Sequence, residues 1–419
     1  MELYSRNTYG KTYPSGLRVC VKKIEGLLSV TMGVLVGTGS SWETPGENGI
    51  SHFIEHMMFK GTEKRNAFEI SDSMDRIGAQ INAFTAKEMT CYYAKCTSDH
   101  TGEAFEILSD YVLHSVFPED EMEREKGVVL EEIAMGEDTP DDLCLEVLAE
   151  AYHGNEGYGR TILGPGSNVK GFSKADLDRY IAERYAPQNI VISFAGNIEP
   201  EEADGLAERY FESEMEKRVM PQRVRPYAVH TDSLFRRKEI EQVHLALGFP
   251  AFAREDPLFD AAQILNVVLG GGMSSRLFQR VREQMGLAYT VYSYLTAYTE
   301  GGLLTVYAGV GPKNTEKALG AILETLRIFS KEGITETEFS RGREQLKSSM
   351  ILGQESTSSQ MLQYGRYLLL NGRMMDYEKR IADIAKLTAA DCGRVLETGF
   401  ACGACAAAAV GRLDAPLSL

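Results

Sequence analysis

His52 and His56 stand four positions apart in the run His52-Phe53-Ile54-Glu55-His56. On a helix that spacing puts both imidazoles on one face, one turn apart. Imidazole nitrogen binds zinc at about 2.0–2.1 Å, so two ligands one turn apart can share an ion. Glu55, three after His52, lies beside the same stripe and can reach a water at the metal without being a ligand. The order mirrors the HExxH arrangement. The chemistry on offer is attack of a metal-activated water on a polarised carbonyl.

A catalytic zinc site takes three protein ligands and keeps one position open. Candidates for the third are Glu125, Glu131 and Glu132, on the helix expected after Pro118. Glu125 and Glu132 are seven apart and share a face, whereas Glu131 is turned about 100° from Glu132. Glu132 is taken as ligand and Glu125 as its supporting partner. Spacing alone leaves open which of the two binds the metal.

The motif needs a rigid helix to hold it. Gly46, Asn48 and Gly49 supply a turn, Ser51 a helix start, and Phe53, Ile54, Met57 and Phe59 the packing. Around it, periodicity predicts strands over 17–22, 28–36, 79–85 and 90–95, and helices near 70–77 and over 102–116 and 120–135. The second half repeats the order. A strand is expected over 243–249 and a helix over 257–269 with Pro257 in its first turn. A helix over 275–284, strands over 288–295 and 302–310, and helices over 315–329 and 335–350 follow. The phrase from Val116 to Met122 is echoed from Gly333 to Phe339, each introducing a long helix. Internal similarity on this scale indicates duplicated domains. They are expected at 1–215 and 239–419. The proline-containing linker 216–238 carries Lys217, Arg218, Arg223, Arg225, Arg236, Arg237 and Lys238, and is read as a tether against acidic neighbours. Ser173 and Asp176 spell a capping box, and 187–197 a buried strand.

Composition narrows the function. A chain of 419 residues with net charge −16 lacks the clustered cations that nucleic acid demands. No apolar run approaches the ~20 residues of a membrane span. The opening Met1-Glu2-Leu3-Tyr4-Ser5-Arg6 is polar, and a cytoplasmic location is expected. Seven cysteines in a large chain do not suggest a disulfide framework, and the lone Cys402–Cys405 pair reads as part of a packed strand or turn. Gly270-Gly271-Gly272 has no following Lys-Ser/Thr and is not a phosphate loop. His100, His114, His153, His230 and His244 are scattered and read as structural.

The run from Gly49 to Thr62 resembles the signature of the pitrilysin-like zinc peptidases, most closely the short-chain branch of mitochondrial processing peptidase and its bacterial relatives. Asn82-Ala83-Phe84-Thr85, the pair Glu125 and Glu132, the stretch Gly270 to Phe278, and the stretch Arg282 to Tyr289 resemble family segments too. The resemblance implies one Zn2+ per chain held by His52, His56 and Glu132, with Glu55 as general base and Glu125 in support. It implies that Arg282 and Tyr289 reach the substrate, and that Asn82, Ala83 and Phe84 form an edge to which an extended peptide adds. It implies an α+β fold of two similar domains, each a mainly antiparallel sheet with helices, arranged as a clamshell. The implied activity is endopeptidase cleavage of unstructured peptides in a closed chamber, by a homodimer. The alternatives are a non-catalytic subunit of the same family and a dedicated leader-peptide protease.

Overall fold

The computed structural model describes the whole chain except Lys217, Val219 and Gln222, so Lys217 of the basic stretch lies outside the described residues. The chain divides into two compact units. The first comprises Met1–Ile133, Thr161–Arg225 and Gly353–Asp376, and the second Ala134–Arg160, Pro226–Leu352 and Tyr377–Leu419.

The first unit is built on strands β1 (Glu2–Ser5), β2 (Thr8–Thr12), β3 (Arg18–Lys23), β4 (Ser29–Val36), β5 (Gln80–Thr85), β6 (Thr90–Thr97) and β7 (Ile190–Gly196). They form one sheet in the order β1-β2-β3-β7-β4-β6-β5. All pairings are antiparallel except β3 with β7. Mostly apolar and buried on both faces, β4 and β7 lie in the interior of the sheet. Alternation along β4 sorts the two faces. Val30, Met32, Val34 and Val36 enter a core with Phe53, Ile54 and Met57 of α1 (Ile50–Met57) and with Phe105 and Leu108 of α3 (Thr101–Leu113). On the other face, Thr31 shares a 2.8 Å hydrogen bond with Thr357, and a Cβ on Gly33 would lie 2.4 Å from Met361 Sδ. The helix Thr357–Asn371 therefore lies directly on that face, the absent side chain of Gly33 making room for it. Between α1 and α3 runs α2 (Ala67–Arg76), closed by an Asn66–Glu69 capping box.

The second unit has strands β8 (Ser233–Arg237), β9 (Val243–Ala251), β10 (Ala288–Ala297), β11 (Gly302–Val310) and β12 (Ala406–Gly411), in the order β10-β11-β9-β12-β8. The same division holds along β9. Val243, Leu245, Leu247 and Phe249 pack with Ile264 and Leu265 of the helix Phe259–Gly270. Ala246 faces Leu143, Val147 and Leu148 of α5 (Pro140–His153). α5 follows α4 (Glu119–Glu137), just as Thr357–Asn371 follows the helix Glu336–Gly353. Each sheet thus has one face covered by a helix from the opposite half of the sequence.

Several expected elements differ in detail. Pro257 lies outside its helix, which starts at Phe259 with Leu258 as N-cap. The helix expected over 275–284 is a π-helical turn, Phe278–Gln284. The small-residue stretch ending in Val410 becomes β12, wholly buried between β9 and β8. The capping box at Ser173 and Asp176 is present in both directions. The basic stretch meets acidic partners: Arg223 pairs with Glu47 and Glu183, Arg225 with Glu88, and Arg236 with Glu150. Among the described residues no helix is long and apolar enough to cross a membrane.

Candidate metal centre

α1 begins at Gly49, a left-handed N-cap at φ +99°, rather than at Ser51. Ser51 lies inside the helix, its hydroxyl 3.0 Å from that of Tyr180. Ile50, Phe53, Ile54 and Met57 anchor α1 in the core. The remaining stripe carries His52, Glu55 and His56, all sheltered from solvent. The Phe117–Pro118 corner, with Phe117 at φ +49°, leads into α4. Met122, Glu125 and Val129 make the buried stripe of α4, and Glu132 continues it.

His52, His56 and Glu132 converge, with one ligand atom from each lying within 4.8 Å of the others. Glu132 Oε2 is 3.6 Å from His52 Nε2 and 3.5 Å from His56 Nε2. Ligands at about 2.0–2.1 Å in a tetrahedral shell stand roughly 3.4 Å from one another. The three side chains fit zinc in both chemistry and spacing. Glu132 is the carboxylate that groups with the two histidines, whereas Glu131 is exposed and Glu125 contacts His56 Nδ1 instead.

The surroundings organise this set. Glu125 Oε1 lies 2.8 Å from His56 Nδ1, and Lys60 Nζ lies 2.6 Å from Glu125 Oε2. Donation of Nδ1–H to Glu125 is the tautomer that would leave Nε2 able to bind a metal. Burial opposes charge on His56, but Glu125, Glu132 and Glu55 outweigh it and raise its pKa. Burial, aided by the neighbouring His56, pushes His52 down to about 3, leaving a neutral imidazole suited to ligation. Burial also opposes the ionisation of Glu125, yet His56 and Lys60 hold its pKa below the usual carboxylate range. Glu55 is pushed up by burial, against the Thr85 hydrogen bond and the field of His56. A carboxylate of raised basicity beside a set of potential metal ligands is suited to taking a proton.

β5, at the edge of its sheet, runs beside α1. Thr85 Oγ1 donates to Glu55 Oε2 at 2.6 Å, fixing one carboxylate oxygen. Asn82 is exposed, and its Oδ1 accepts from the Ala83 N–H at 2.8 Å. Phe84 packs edge-on to Tyr93, with ring centroids 6.5 Å apart. Arg282 and Tyr289 belong to the second unit, where the guanidinium lies 5.2 Å from the Tyr289 ring centroid and 4.8 Å from that of Phe278. Tyr289 is 74% exposed. The sequence placed Thr85 on the substrate edge but pointed to no contact with Glu55, and it assigned Lys60 no role. Strand alternation offered a faint signal for Thr85; nothing local pointed to Lys60.

The second half of the chain does not repeat this set of side chains. Aligned at Met122 and Phe339, Gly342 stands where Glu125 does and Ser349 where Glu132 does. A Cβ on Gly342 would lie 3.2 Å from both Ile264 and Val268, so two helices close-pack where the first unit holds a carboxylate.

Comparison with known proteins agrees with this asymmetry. Residues 18–166 match the model described as Insulinase (Peptidase family M16), and residues 171–346 match Peptidase M16 inactive domain. The chain is 44% identical over 374 residues to the uncharacterized zinc protease YmxG of Bacillus subtilis, covering 89% of this chain and 91% of that one. An uncharacterized zinc protease of Streptomyces coelicolor is 37% identical over 388 residues, covering 91% and 84%. Among solved structures, a peptidase M16 inactive domain from Pseudomonas fluorescens superposes with TM-score 0.90 at 21% identity, covering 99% of this chain and all of that one. A protease from Helicobacter pylori superposes with TM-score 0.87 at 23% identity, covering 97% and 100%. At those identities the likeness is one of fold.

Proposed function

This chain belongs to peptidase family M16, the pitrilysin-like peptidases, and from that premise we propose that it is a zinc-dependent endopeptidase acting on unstructured peptides. The observation that carries the proposal is the convergence of His52, His56 and Glu132 at ligand spacing. His52, His56 and Glu132 are the residues that would hold the ion. The chemistry zinc supplies in such a site is polarisation of the scissile carbonyl and a water made acidic near neutral pH.

The protein's own residues do the rest. Glu55 takes the water's proton on its carboxylate and later delivers it to the departing amine. The Thr85 hydroxyl occupies Oε2 of Glu55, which leaves Oε1 for the proton. Glu125, held by Lys60, keeps the His56 ring in place. An extended peptide adds to the free edge of β5, replacing the Asn82 side chain as partner of the Ala83 N–H. Recognition through the backbone makes side-chain selectivity loose. Phe84 lines this edge.

The test is digestion of a mixture of unstructured peptides by the purified chain, read by mass spectrometry, with zinc and with phenanthroline. Cleavage within the peptides that the chelator abolishes and zinc restores is expected. A zinc-loaded chain that leaves every peptide intact contradicts the proposal.

A further inference from the structure

Helix α1 starts without a capping side chain of its own. Its N-cap, Gly49, sits at φ +99°, and a Cβ there would lie 2.5 Å from the Leu163 carbonyl oxygen. That position excludes Ser, Thr, Asp and Asn, whose side chains ordinarily accept from first-turn N–H groups. Glu43, upstream in the chain, supplies the acceptors instead. Its Oε2 accepts from the Gly49 N–H at 2.8 Å and from Asn48 Nδ2 at 3.0 Å. Its Oε1 accepts from the Ser51 N–H at 2.9 Å. The side chain is buried, only 4% exposed. Burial pushes its pKa up, while the donors from Asn48, Gly49 and Ser51 pull the other way. A carboxylate is rarely buried so deeply unless its oxygens are used.

The segment bearing Glu43 is itself fastened. Ser41 donates to the Lys87 carbonyl through its N–H at 2.9 Å and through its hydroxyl at 2.6 Å, and the Ser40 N–H reaches the Ala86 carbonyl. Residues 86–89 form the turn between β5 and β6. One connected set of hydrogen bonds therefore joins the strand that carries Thr85 to the first turn of α1.

We propose that Glu43 is a positioning residue of the metal centre, fixing the first turn of α1 and with it the place of the His52 imidazole relative to His56 and Glu132. This inference rests on the zinc reading above. His52 follows Ser51 directly, and its Nδ1 has no hydrogen-bond partner among the described residues. No second partner holds its ring as Glu125 holds that of His56. The backbone of the first turn therefore bears the task of placing it.

The test is zinc affinity of the full chain, measured by competition with a chromophoric chelator, alongside circular dichroism and the melting temperature of the metal-free protein. Glu43→Gln keeps the shape but turns an amide toward backbone N–H donors. It is expected to keep the wild-type spectrum and to bind zinc about ten-fold more weakly, the lower end for partners that support a metal ligand. Glu43→Asp keeps two acceptor oxygens on a shorter arm and is expected to lie between the two. A folded Glu43→Gln with wild-type zinc affinity overturns the proposal, whatever its melting temperature. If Glu43→Gln does not fold, Glu43→Asp decides: an intermediate affinity supports the proposal and a wild-type affinity overturns it. His52→Ala is measured in parallel. If it binds zinc as the wild type does, the zinc reading itself has failed, a result distinct from failure of the role of Glu43.

Discussion

The Thr85 hydroxyl and the Glu55 carboxylate are joined by a 2.6 Å hydrogen bond between the edge strand β5 and the helix of the two histidines. It fixes the orientation of the base from the strand on which substrate is proposed to lie. Thr85→Val removes the donor and nearly conserves volume. A hydrogen bond to a charged group contributes about 1.5–3 kcal/mol, so kcat should fall roughly 10- to 100-fold with KM little changed. Steady-state kinetics on one defined peptide checks this. A change confined to KM would show that Thr85 acts on binding instead.

Glu55→Gln separates base from ligand set. Zinc content should match the wild type, because Glu55 lies outside the cluster of three. Cleavage should fall by about 10²–10⁴, the contribution of a positioned general base. Unchanged cleavage would remove Glu55 from the mechanism.

Glu125 and Lys60 support His56 from behind. Glu125→Ala should weaken zinc binding about 10–100-fold. Lys60→Met should weaken it less, since Glu125 would still accept from His56. Zinc titration against a competing chelator gives both values, and equal affinities for all three proteins would contradict the arrangement.

How much of this was legible in advance follows from the range of the interactions. His52, Glu55 and His56 were readable because a helix makes spacing into geometry within five residues. The strands around them were readable because β4 and β7 are mostly apolar and β5 pairs with β6 as a hairpin. Glu43, Lys60 and the contact of Thr85 with Glu55 were not, because each depends on a partner that the fold, not the local pattern, brings near. Domain organisation was harder still. α5 and Thr357–Asn371 are ordinary amphipathic helices, and nothing in their periodicity says that each covers the sheet of the other half. Gly49 was read as a turn residue, yet its left-handed backbone makes it the N-cap, which moved the helix start away from Ser51.

The second unit carries a pH-sensitive contact of its own. Arg276 grips Glu338 through two 2.8 Å hydrogen bonds, and Thr335 adds its N–H, so the Glu338 pKa is lowered to about 2 from 4.5. A carboxylate whose folded pKa is depressed stabilises the fold fully above its unfolded pKa. That stabilisation is lost as pH falls from about 4.5 toward about 2. Urea denaturation between pH 6 and pH 3 should show a steeper loss of stability for the wild type than for Glu338→Gln. Parallel curves would contradict the assignment.

Thiol chemistry offers a check on the packing of both units. Cys402 is exposed and the other six cysteines are buried. Burial pushes Cys20 and Cys392 up to about 12 and Cys405 up to about 11. Ellman's reagent should label one thiol promptly in the native protein and seven in denaturant. Rapid labelling of several would show the described packing to be wrong.

The central claim is most directly tested by X-ray absorption at the zinc edge on the metal-replete Glu55→Gln protein, which holds the site without turnover. The account predicts one zinc per chain in a shell of nitrogen and oxygen, with the multiple-scattering signature of two imidazoles that falls to one in His52→Ala. A shell containing sulfur, or a spectrum that His52→Ala leaves unchanged, would contradict it.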